Sequence, residues 1–338
     1  GPIWAIESPL PGTRATSRFR LSGGRCRCSS RPTPAHSIRT ACSSSEDPLA
    51  SDGQDTGSAG AETIVIGTAN FPESEIIGQV WAAALEDAGF DVEVSSAIGS
   101  REVYLRALEE GSIDLVPEYS GNLAQYYLSE SGSAELGAGS DAGEVYAALE
   151  GALPGELAAG DYAEGESKDS YRVTRGLADE YGLASLGDLA KLDQVRVAAN
   201  PELAERPYGP PGLTEVYGVP AEKITMVPIS DGGGPLTIAA LTEGTAEVAD
   251  IYTTSPTLDA SGNEVDLVTL EDPEQLILPQ NVLPLMRADA VPQEAIDVIN
   301  GINEHMTTEA LVEMNLRNIG EEKAEAPVIA RDFVDENA

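Results

Sequence analysis

The sequence predicts an α/β protein that is built from two lobes. A strand–helix–strand–helix–strand pattern fills residues 63–116, and a second pattern of the same kind fills residues 195–252. Both patterns are typical of open, mostly parallel sheets that are covered by helices. The chain has 338 residues, which is enough for about two domains of roughly 100–200 residues each.

The first unit alternates apolar strands with amphipathic helices. Residues 63–67 are a short β-branched run that ends in Gly, and residues 91–95 and 113–116 are the second and third predicted strands. Between them, residues 75–88 and 101–110 place apolar side chains on one face of a helix, and a Gly follows each segment. This order predicts an open parallel α/β unit.

The second unit repeats this organisation and is followed by a return segment. Two units and a return segment predict two lobes with more than one crossing between them, and such proteins close by a hinge motion around a ligand. The predicted strands cover residues 195–198, 224–229, 248–252, 265–270 and 282–286, and the predicted helices cover residues 211–217, 236–243 and 292–317.

The charge of the chain limits the classes of partner. The formal net charge is −37, which argues against nucleic acid and anionic lipid because both are bound through Lys and Arg. The acidic surface is interpreted as solubilising, with attraction of cations to a cleft as a secondary role. Residues 1–45 are the exception, since they hold seven Arg and one acidic residue.

The sequence lacks the motifs of common enzyme sites. The chain has two histidines, His36 and His305, and the glycines at 232–234 are not followed by the Lys-Ser/Thr of a phosphate-binding loop. No Gly-x-Ser-x-Gly motif is present. We therefore expect a binding protein with no catalytic residues, no cofactor and no metal site.

Residues 1–61 have the composition of a disordered tail or tether. They are rich in Ser, Gly, Pro and Arg and show no apolar periodicity. Cys42 follows a small residue and precedes a polar stretch, which resembles the maturation site of a bacterial lipoprotein, although Arg39 stands where that motif has an apolar residue. Cys42 is a predicted lipid anchor, and an incidental cysteine in an unstructured tail is the alternative.

Tyrosines recur where the predicted strands begin or end. Ligands of open α/β sheets bind beyond the carboxyl ends of the strands. Tyr119 and Tyr252 follow predicted strands, and Tyr171 lies in the segment that enters the second lobe. Asn70 and Asn122 lie in two of the same strand-end segments, so these side chains are candidate ligand contacts.

Five stretches resemble the substrate-binding proteins of ABC importers for glycine betaine, choline and related osmoprotectants. The resemblance covers most of residues 62–320, and the sequence Gly-Ser-Ile-Asp-Leu-Val-Pro-Glu-Tyr-Ser-Gly is its most specific part. The five stretches are residues 67–74, 98–103, 111–121, 249–254 and 279–284.

The resemblance implies an aromatic cage for a quaternary ammonium group. Such a cation cannot donate hydrogen bonds and is attracted by the faces of aromatic rings, at about 0.5–2 kcal/mol for each ring. The cage tyrosines of the family fall on Tyr119, Tyr171 and Tyr252. Asp169, two residues before the second tyrosine, matches an acidic position of the family that fixes the ring geometry or attracts the cation.

Several positions depart from the pattern of the family. A fourth family tyrosine is replaced by Gln280, a Lys that binds the betaine carboxylate is replaced by Ala69, and a small hydroxyl residue is replaced by Asn122. Arg206 matches the remaining cation of the carboxylate site, with a solvated loop charge as the alternative. Glu75 is a candidate for a further negative charge at the predicted cleft, and an acid that interacts with the dipole at the start of a helix is the alternative. These departures leave choline-like and betaine-like ligands equally open.

The resemblance also implies a fold, a partner and a location. We expect a periplasmic-binding-protein type II fold with a hinge, in which residues 62–166 and 271–338 form lobe one and residues 167–270 form lobe two. The expected partners are a small quaternary-ammonium ligand and an ABC permease, and the chain is expected to be a monomer outside the cytoplasm, tethered to the outer face of the cell membrane through Cys42. The alternative is a protein of the same fold that binds an amino acid or its derivative.

Overall fold

A computed structural model describes residues 63–133, 136–137 and 139–337. The predictions for residues 1–61, including lipidation of Cys42, lie outside these residues. None of the described helices is long and apolar enough to cross a membrane.

The described residues form ten strands and ten α-helices. The strands are β1 (Ile64–Gly67), β2 (Val92–Ser95), β3 (Leu115–Tyr119), β4 (Leu157–Ala159), β5 (Tyr171–Thr174), β6 (Val195–Ala199), β7 (Ile224–Pro228), β8 (Val248–Asp250), β9 (Leu267–Thr269) and β10 (Val282–Arg287). The helices are α1 (Pro72–Asp87), α2 (Arg101–Glu109), α3 (Ser120–Ser131), α4 (Ala142–Ala152), α5 (Arg175–Tyr181), α6 (Pro210–Glu215), α7 (Pro235–Thr242), α8 (Gln293–Asn303), α9 (Thr308–Ile319) and α10 (Ala326–Asn337).

The strands form two mixed sheets of five strands each. The first sheet has the order β2-β1-β3-β10-β4, and β10 runs antiparallel to both of its neighbours. The second has the order β7-β6-β8-β5-β9, and β5 runs antiparallel to β8 and β9. The chain crosses from the first sheet to the second after β4 and returns after β9, which is the two-lobed α/β arrangement that the sequence predicts. The exact lobe boundaries stay a prediction.

The core of the first lobe is organised around α1. This helix starts at Pro72, which suits the first helical position, and buries Ile77, Val80 and Trp81 completely. The Trp81 Nε1 donates a 2.8 Å hydrogen bond to Asn303 Oδ1 at the end of α8. Helix α10 packs along α1, so the C-terminal segment completes the lobe that the N-terminal strands begin.

The segment after β3 differs from the sequence prediction. The strand ends at Tyr119, three residues later than predicted, and α3 begins at once instead of a loop. Gly121 makes this possible, because a Cβ at this position would lie 2.5 Å from the backbone oxygen of Pro279. The first turn of α3 therefore packs directly against the segment that leads into β10.

Candidate functional site

A cavity lies where the carboxyl ends of strands from both sheets face each other. Its volume is about 120 Å³, and a cavity of about 150 Å³ holds a molecule the size of benzene, so the site suits a small solute. The walls combine aromatic rings with acidic, amide and guanidinium groups. The lining residues that matter below are Asn70, Phe71, Arg101, Tyr104, Tyr119, Asn122, Asp169, Arg206, Tyr208, Asp250 and Tyr252.

Three aromatic rings from both lobes lie next to each other on the wall. Phe71 is the residue before α1, and its ring centroid is 6.2 Å from that of Tyr119 and 5.6 Å from that of Tyr252. Tyr119 ends β3 of the first sheet, whereas Tyr252 follows β8 of the second. The three rings thus form an aromatic wall that spans the cleft.

A buried carboxylate fixes the ring of Tyr119. The Tyr119 hydroxyl donates a 2.6 Å hydrogen bond to Glu73 Oε1. Glu73 Oε2 accepts two more bonds, from the Thr254 hydroxyl at 2.5 Å and from Asn315 Nδ2 at 2.6 Å. Burial, together with the charge of Glu73, raises the pKa of Tyr119 well above its usual value, so the hydroxyl keeps the proton that it donates.

A second buried carboxylate neutralises Arg101. Arg101 Nε and Nη2 donate to the two oxygens of Glu118 at 2.8 and 2.9 Å, which is the bidentate geometry of strong guanidinium–carboxylate pairs. Glu118 is fully buried and also accepts bonds from the Tyr104 hydroxyl at 2.7 Å and from the backbone amide of Tyr119 at 2.9 Å. Arg101 is a site residue that the sequence pattern did not predict.

Arg206 lines the cavity from the second lobe. Its Nη2 donates a 2.8 Å bond to Glu102 Oε1 on α2, so this ion pair joins the two lobes at the edge of the cleft. The positive charges of Arg101 and Arg206 are therefore both paired with carboxylates of the first lobe.

Two acidic side chains, Asp169 and Asp250, share the wall on the side of the second lobe. Asp169 is 6% exposed and Asp250 is 7% exposed, and their carboxyl groups are in hydrogen-bonding contact with each other. Burial raises the pKa of both groups, and the charge of Asp169 contributes to raising the pKa of Asp250 well above its usual range.

Gln280 supports Asn122, which lies beside Asp169 on the cavity wall. The backbone amide of Asn122 donates to Gln280 Oε1 at 2.9 Å, and Gln280 Nε2 donates to Asn122 Oδ1 at 2.6 Å. Asn122 Nδ2 in turn donates to Asp169 Oδ2 at 3.0 Å. Gln280 is fully buried, so it supports Asn122 from behind instead of lining the cavity.

The structure brings six of the nine predicted ligand contacts to the cavity and leaves three outside. Tyr171 does not line the cavity: it is 1% exposed, and its hydroxyl donates to the backbone oxygen of Tyr208 at 2.7 Å. Gln280 lies behind Asn122, and Glu75 lies half-buried on α1 away from the wall. The six that line the cavity are Asn70, Tyr119, Asn122, Asp169, Arg206 and Tyr252.

Phe71, Arg101 and Asp250 line the cavity but were not among the predicted contacts. All three belong to the motifs that carry the family resemblance. Phe71 also follows the first strand, at the position where ligands of open sheets bind. Their place in these motifs is the signal that could have identified them, and for Phe71 the aromatic ring is a second signal.

Sequence comparisons match this chain to transport proteins. The family model described as the substrate-binding domain of ABC-type glycine betaine transport systems matches residues 62–336. The glycine betaine-binding protein YehZ of Escherichia coli is 26% identical over 242 residues, which are 70% of this chain and 75% of the relative. A glycine-betaine-binding protein of Pseudomonas aeruginosa is 25% identical over 304 residues, which are 83% of this chain and 90% of the relative.

A structural comparison agrees with the predicted fold. The crystal structure of a glycine betaine/carnitine/choline ABC transporter matches this chain with a TM-score of 0.61 at 20% identity, and the match covers 81% of this chain and 98% of that one. A likeness at this identity shows the fold. It confirms the prediction of the two-lobed α/β fold of periplasmic substrate-binding proteins.

Proposed function

The chain belongs to the family of substrate-binding domains of ABC-type glycine betaine transport systems, and from this premise we propose that it captures a small quaternary-ammonium solute between Phe71, Tyr119 and Tyr252. Membership of this family confirms the sequence resemblance and makes the chain a transport protein and not an enzyme. The single observation that carries the proposed ligand class is the wall of three rings next to a buried acidic pair.

The chemistry of this wall suits a cation that cannot donate hydrogen bonds. Aromatic faces attract a quaternary ammonium group by about 0.5–2 kcal/mol for each ring. Asp169 adds a negative charge beside Tyr252, whereas the nearby guanidinium groups are paired with Glu118 and Glu102. The unpaired charge on the wall is therefore negative, which favours a positively charged solute.

A second candidate ligand is a solute that also carries a carboxylate, such as a betaine or an amino-acid derivative. The observation that favours it is the presence of Arg101 and Arg206 on the same wall. A ligand carboxylate would compete with Glu102 for Arg206, because the Arg206 side chain is 18% exposed and lines the cavity. This candidate predicts that glycine betaine binds more tightly than choline, and the first candidate predicts the reverse or equal affinities.

The captured solute would then be delivered to the permease of an ABC importer. We propose that the lobes close around the solute by a hinge motion and that the closed monomer presents both lobes to the membrane subunits of an ABC importer. The same proposal places the protein outside the cytoplasm, held at the membrane through a lipid on Cys42. Mass spectrometry of the native protein tests the anchor, which requires a mature chain that starts at an acylated Cys42.

Calorimetry with choline, glycine betaine, carnitine and proline betaine tests the proposed ligand class. Replacing Phe71 or Tyr252 by Leu removes one ring, so we expect each variant to bind the preferred cation about 5–30-fold more weakly, as about 1–2 kcal/mol of lost cation–π attraction requires. Tyr181→Leu is the matched control, because this tyrosine is exposed at the end of α5 and does not line the cavity.

The neutral analogue of choline, with a tert-butyl group in place of the trimethylammonium group, isolates the charge. The analogue has nearly the same shape, so we expect it to bind at least about tenfold more weakly than choline, as about 1.4 kcal/mol of lost attraction gives. Equal binding of choline and this analogue, together with unchanged affinity in both ring variants, would rule out the aromatic cation site.

A further inference from the structure

We propose that Asp169 and Asp250 form an acidic pair that holds one shared proton in the ligand-free cleft and releases it to solvent when a cationic solute binds. Capture of the solute is then an exchange of one proton for one ligand cation, and the doubly ionised pair faces the bound cation. This inference rests on the proposed function, because it concerns the cation side of the same site.

The position of Asp250 is the first observation. This residue ends β8, is more than nine-tenths buried and lines the cavity. No donor among the described residues lies within hydrogen-bonding distance of its Oδ1. A buried carboxyl oxygen without a partner costs about 1–3 kcal/mol, so a ligand or proton at this oxygen would remove a penalty that the fold otherwise carries.

The second observation is the orientation of the amide that faces Asp169. The backbone amide of Asn122 can only donate, so the Gln280 atom that it contacts is the oxygen, and the other Gln280 terminal atom is the nitrogen. That nitrogen donates to Asn122, so Asn122 must turn its own NH₂ group toward Asp169. Asp169 therefore accepts a hydrogen bond from Asn122 that favours its ionised form.

The hydrogen bonds of these amides indicate which of the two aspartates holds the proton. Asp169 accepts from Asn122 and remains a carboxylate, whereas Asp250 has the higher pKa because of burial and the adjacent charge of Asp169. Two carboxylates in contact at a buried site cannot both ionise without a compensating positive charge. Asp250 therefore donates the shared proton to Asp169 while the cleft is free of ligand.

The surrounding charges supply that compensation only in part, because burial and the charge of Asp169 raise the pKa of Asp250 more than the charge of Arg172 lowers it. Arg101 is engaged by both oxygens of Glu118, and Arg172 donates to the Ser170 hydroxyl and to the backbone oxygen of Tyr252. The charge of Arg101 acts on Asp169, and the charge of Arg172 acts on Asp250. Tyr171, Tyr208 and Tyr252 also face the pair, whose charges raise the pKa of each of these hydroxyls.

A ligand cation changes this balance. A positive charge against the wall favours the ionised form of Asp250, so binding lowers the pKa of the pair and releases its proton to the solvent. By linkage, affinity then rises with pH while the free pair is protonated, by up to about tenfold for each pH unit, and becomes constant once the free pair is ionised.

Calorimetry with choline as the probe tests this exchange. Titrations from about pH 5 to about pH 8, in buffers with different ionisation enthalpies, give the affinity and the number of protons released. We expect the wild type to release up to one proton and to bind more tightly as pH rises. Asp250→Asn removes the titrating group, so its affinity should not change with pH and it should release no proton. Asp266→Asn, at an exposed ion pair with Arg175, should behave as the wild type.

The outcomes separate this inference from the proposed function. Choline binding by the wild type with constant affinity and no proton release overturns the exchange and leaves the proposed function intact. Binding of no cation by the wild type overturns both. A measurement without ligand adds an independent check: carbon-detected NMR of the Asp250 carboxyl should show a pKa that falls toward its ordinary value in Asp169→Asn, and an unchanged pKa contradicts a shared proton.

Discussion

The two sides of the cleft bury carboxylates in different ways. On the side of the first lobe, Glu73 and Glu118 are fully engaged: Glu73 accepts three hydrogen bonds, and Glu118 accepts four, two of them from Arg101. On the side of the second lobe, Asp169 and Asp250 contact each other and leave an oxygen without a donor among the described residues. The comparison indicates that the first side positions the aromatic wall and the second carries the charge available to a ligand.

Removal of the buried Arg101–Glu118 ion pair on the first-lobe side of the cleft should give the largest effect on stability. Arg101→Met leaves Glu118 buried without its cation, and removal of one partner of a buried ion pair costs about 3–5 kcal/mol. We expect the free energy of unfolding to fall by that amount in urea denaturation. Arg175→Met is the matched control, because this arginine is paired with Asp266 at the surface and should show no measurable loss.

The partner variant sharpens this expectation. Glu118→Gln in the Arg101→Met background removes the uncompensated charge and should recover part of the lost stability, since an unpaired buried charge is the main penalty. If Arg101→Met and the double variant both unfold at the urea concentration of the wild type, Glu118 does not depend on Arg101 and the contrast between the two sides of the cleft is wrong.

Glu73 gives a second test of whether the carboxylates on the first-lobe side stabilise the fold. Glu73→Gln keeps the shape but replaces one acceptor oxygen by an NH₂ group. At the position of Oε2 this group meets the Asn315 NH₂ group, which cannot accept, and at the position of Oε1 it removes the acceptor of the Tyr119 hydroxyl. Leaving a buried polar group unsatisfied costs about 1–3 kcal/mol, so the free energy of unfolding should fall within this range. The Tyr119 ring should also lose its fixed position, and the affinity for a cation should weaken.

The neighbouring acid provides the control for this variant. Glu75 lies on the same helix but is half-buried and does not line the cavity, so Glu75→Gln should change the free energy of unfolding by less than about 0.5 kcal/mol. Equal losses for both variants would mean that the loss reflects charge at the start of α1 and not the contacts of Glu73.

The sequence predicted the α/β units because their strands and helices have clear local patterns. Residues 64–67, for example, are β-branched and end in Gly, and the structure has β1 there. The start of α3 could not be predicted in this way, because Ser120, Gly121 and Asn122 are residues typical of turns. Contacts with the return segment, which is about 160 residues away in the sequence, hold this turn as the beginning of a helix.

The site shows the same limit. Tyr171 and Tyr252 both lie at the boundary of a strand, but the Tyr171 ring packs in the core of the second lobe and its hydroxyl donates to the backbone oxygen of Tyr208. Position along the sequence does not state which face of the strand a side chain occupies. Likewise, Gln280 matches a ligand-binding position of the family, yet its side-chain amide is hydrogen-bonded to Asn122 and does not line the cavity.

The acidic pair should change stability only as the pH changes, and the sign of this change distinguishes the two sides of the cleft most directly. A carboxyl with a higher pKa in the folded than in the unfolded chain stabilises the folded state below the unfolded pKa of about 4, and this contribution is lost as pH rises through the folded pKa. The ligand-free wild type should therefore lose stability relative to Asp250→Asn as pH rises, by about 1.4 kcal/mol for each unit of pKa difference.

Thermal unfolding of both proteins without ligand, from about pH 4 to about pH 8, measures this difference. Saturating choline should reduce it, because the cation compensates the second charge of the pair. The same comparison for Asp266→Asn should give a difference that does not change with added choline, since that acid is exposed and paired with Arg175. If the wild type instead gains stability relative to Asp250→Asn as pH rises, the fold stabilises the ionised form of Asp250. Asp250 would then resemble Glu73 and Glu118, whose oxygens already have hydrogen-bond donors.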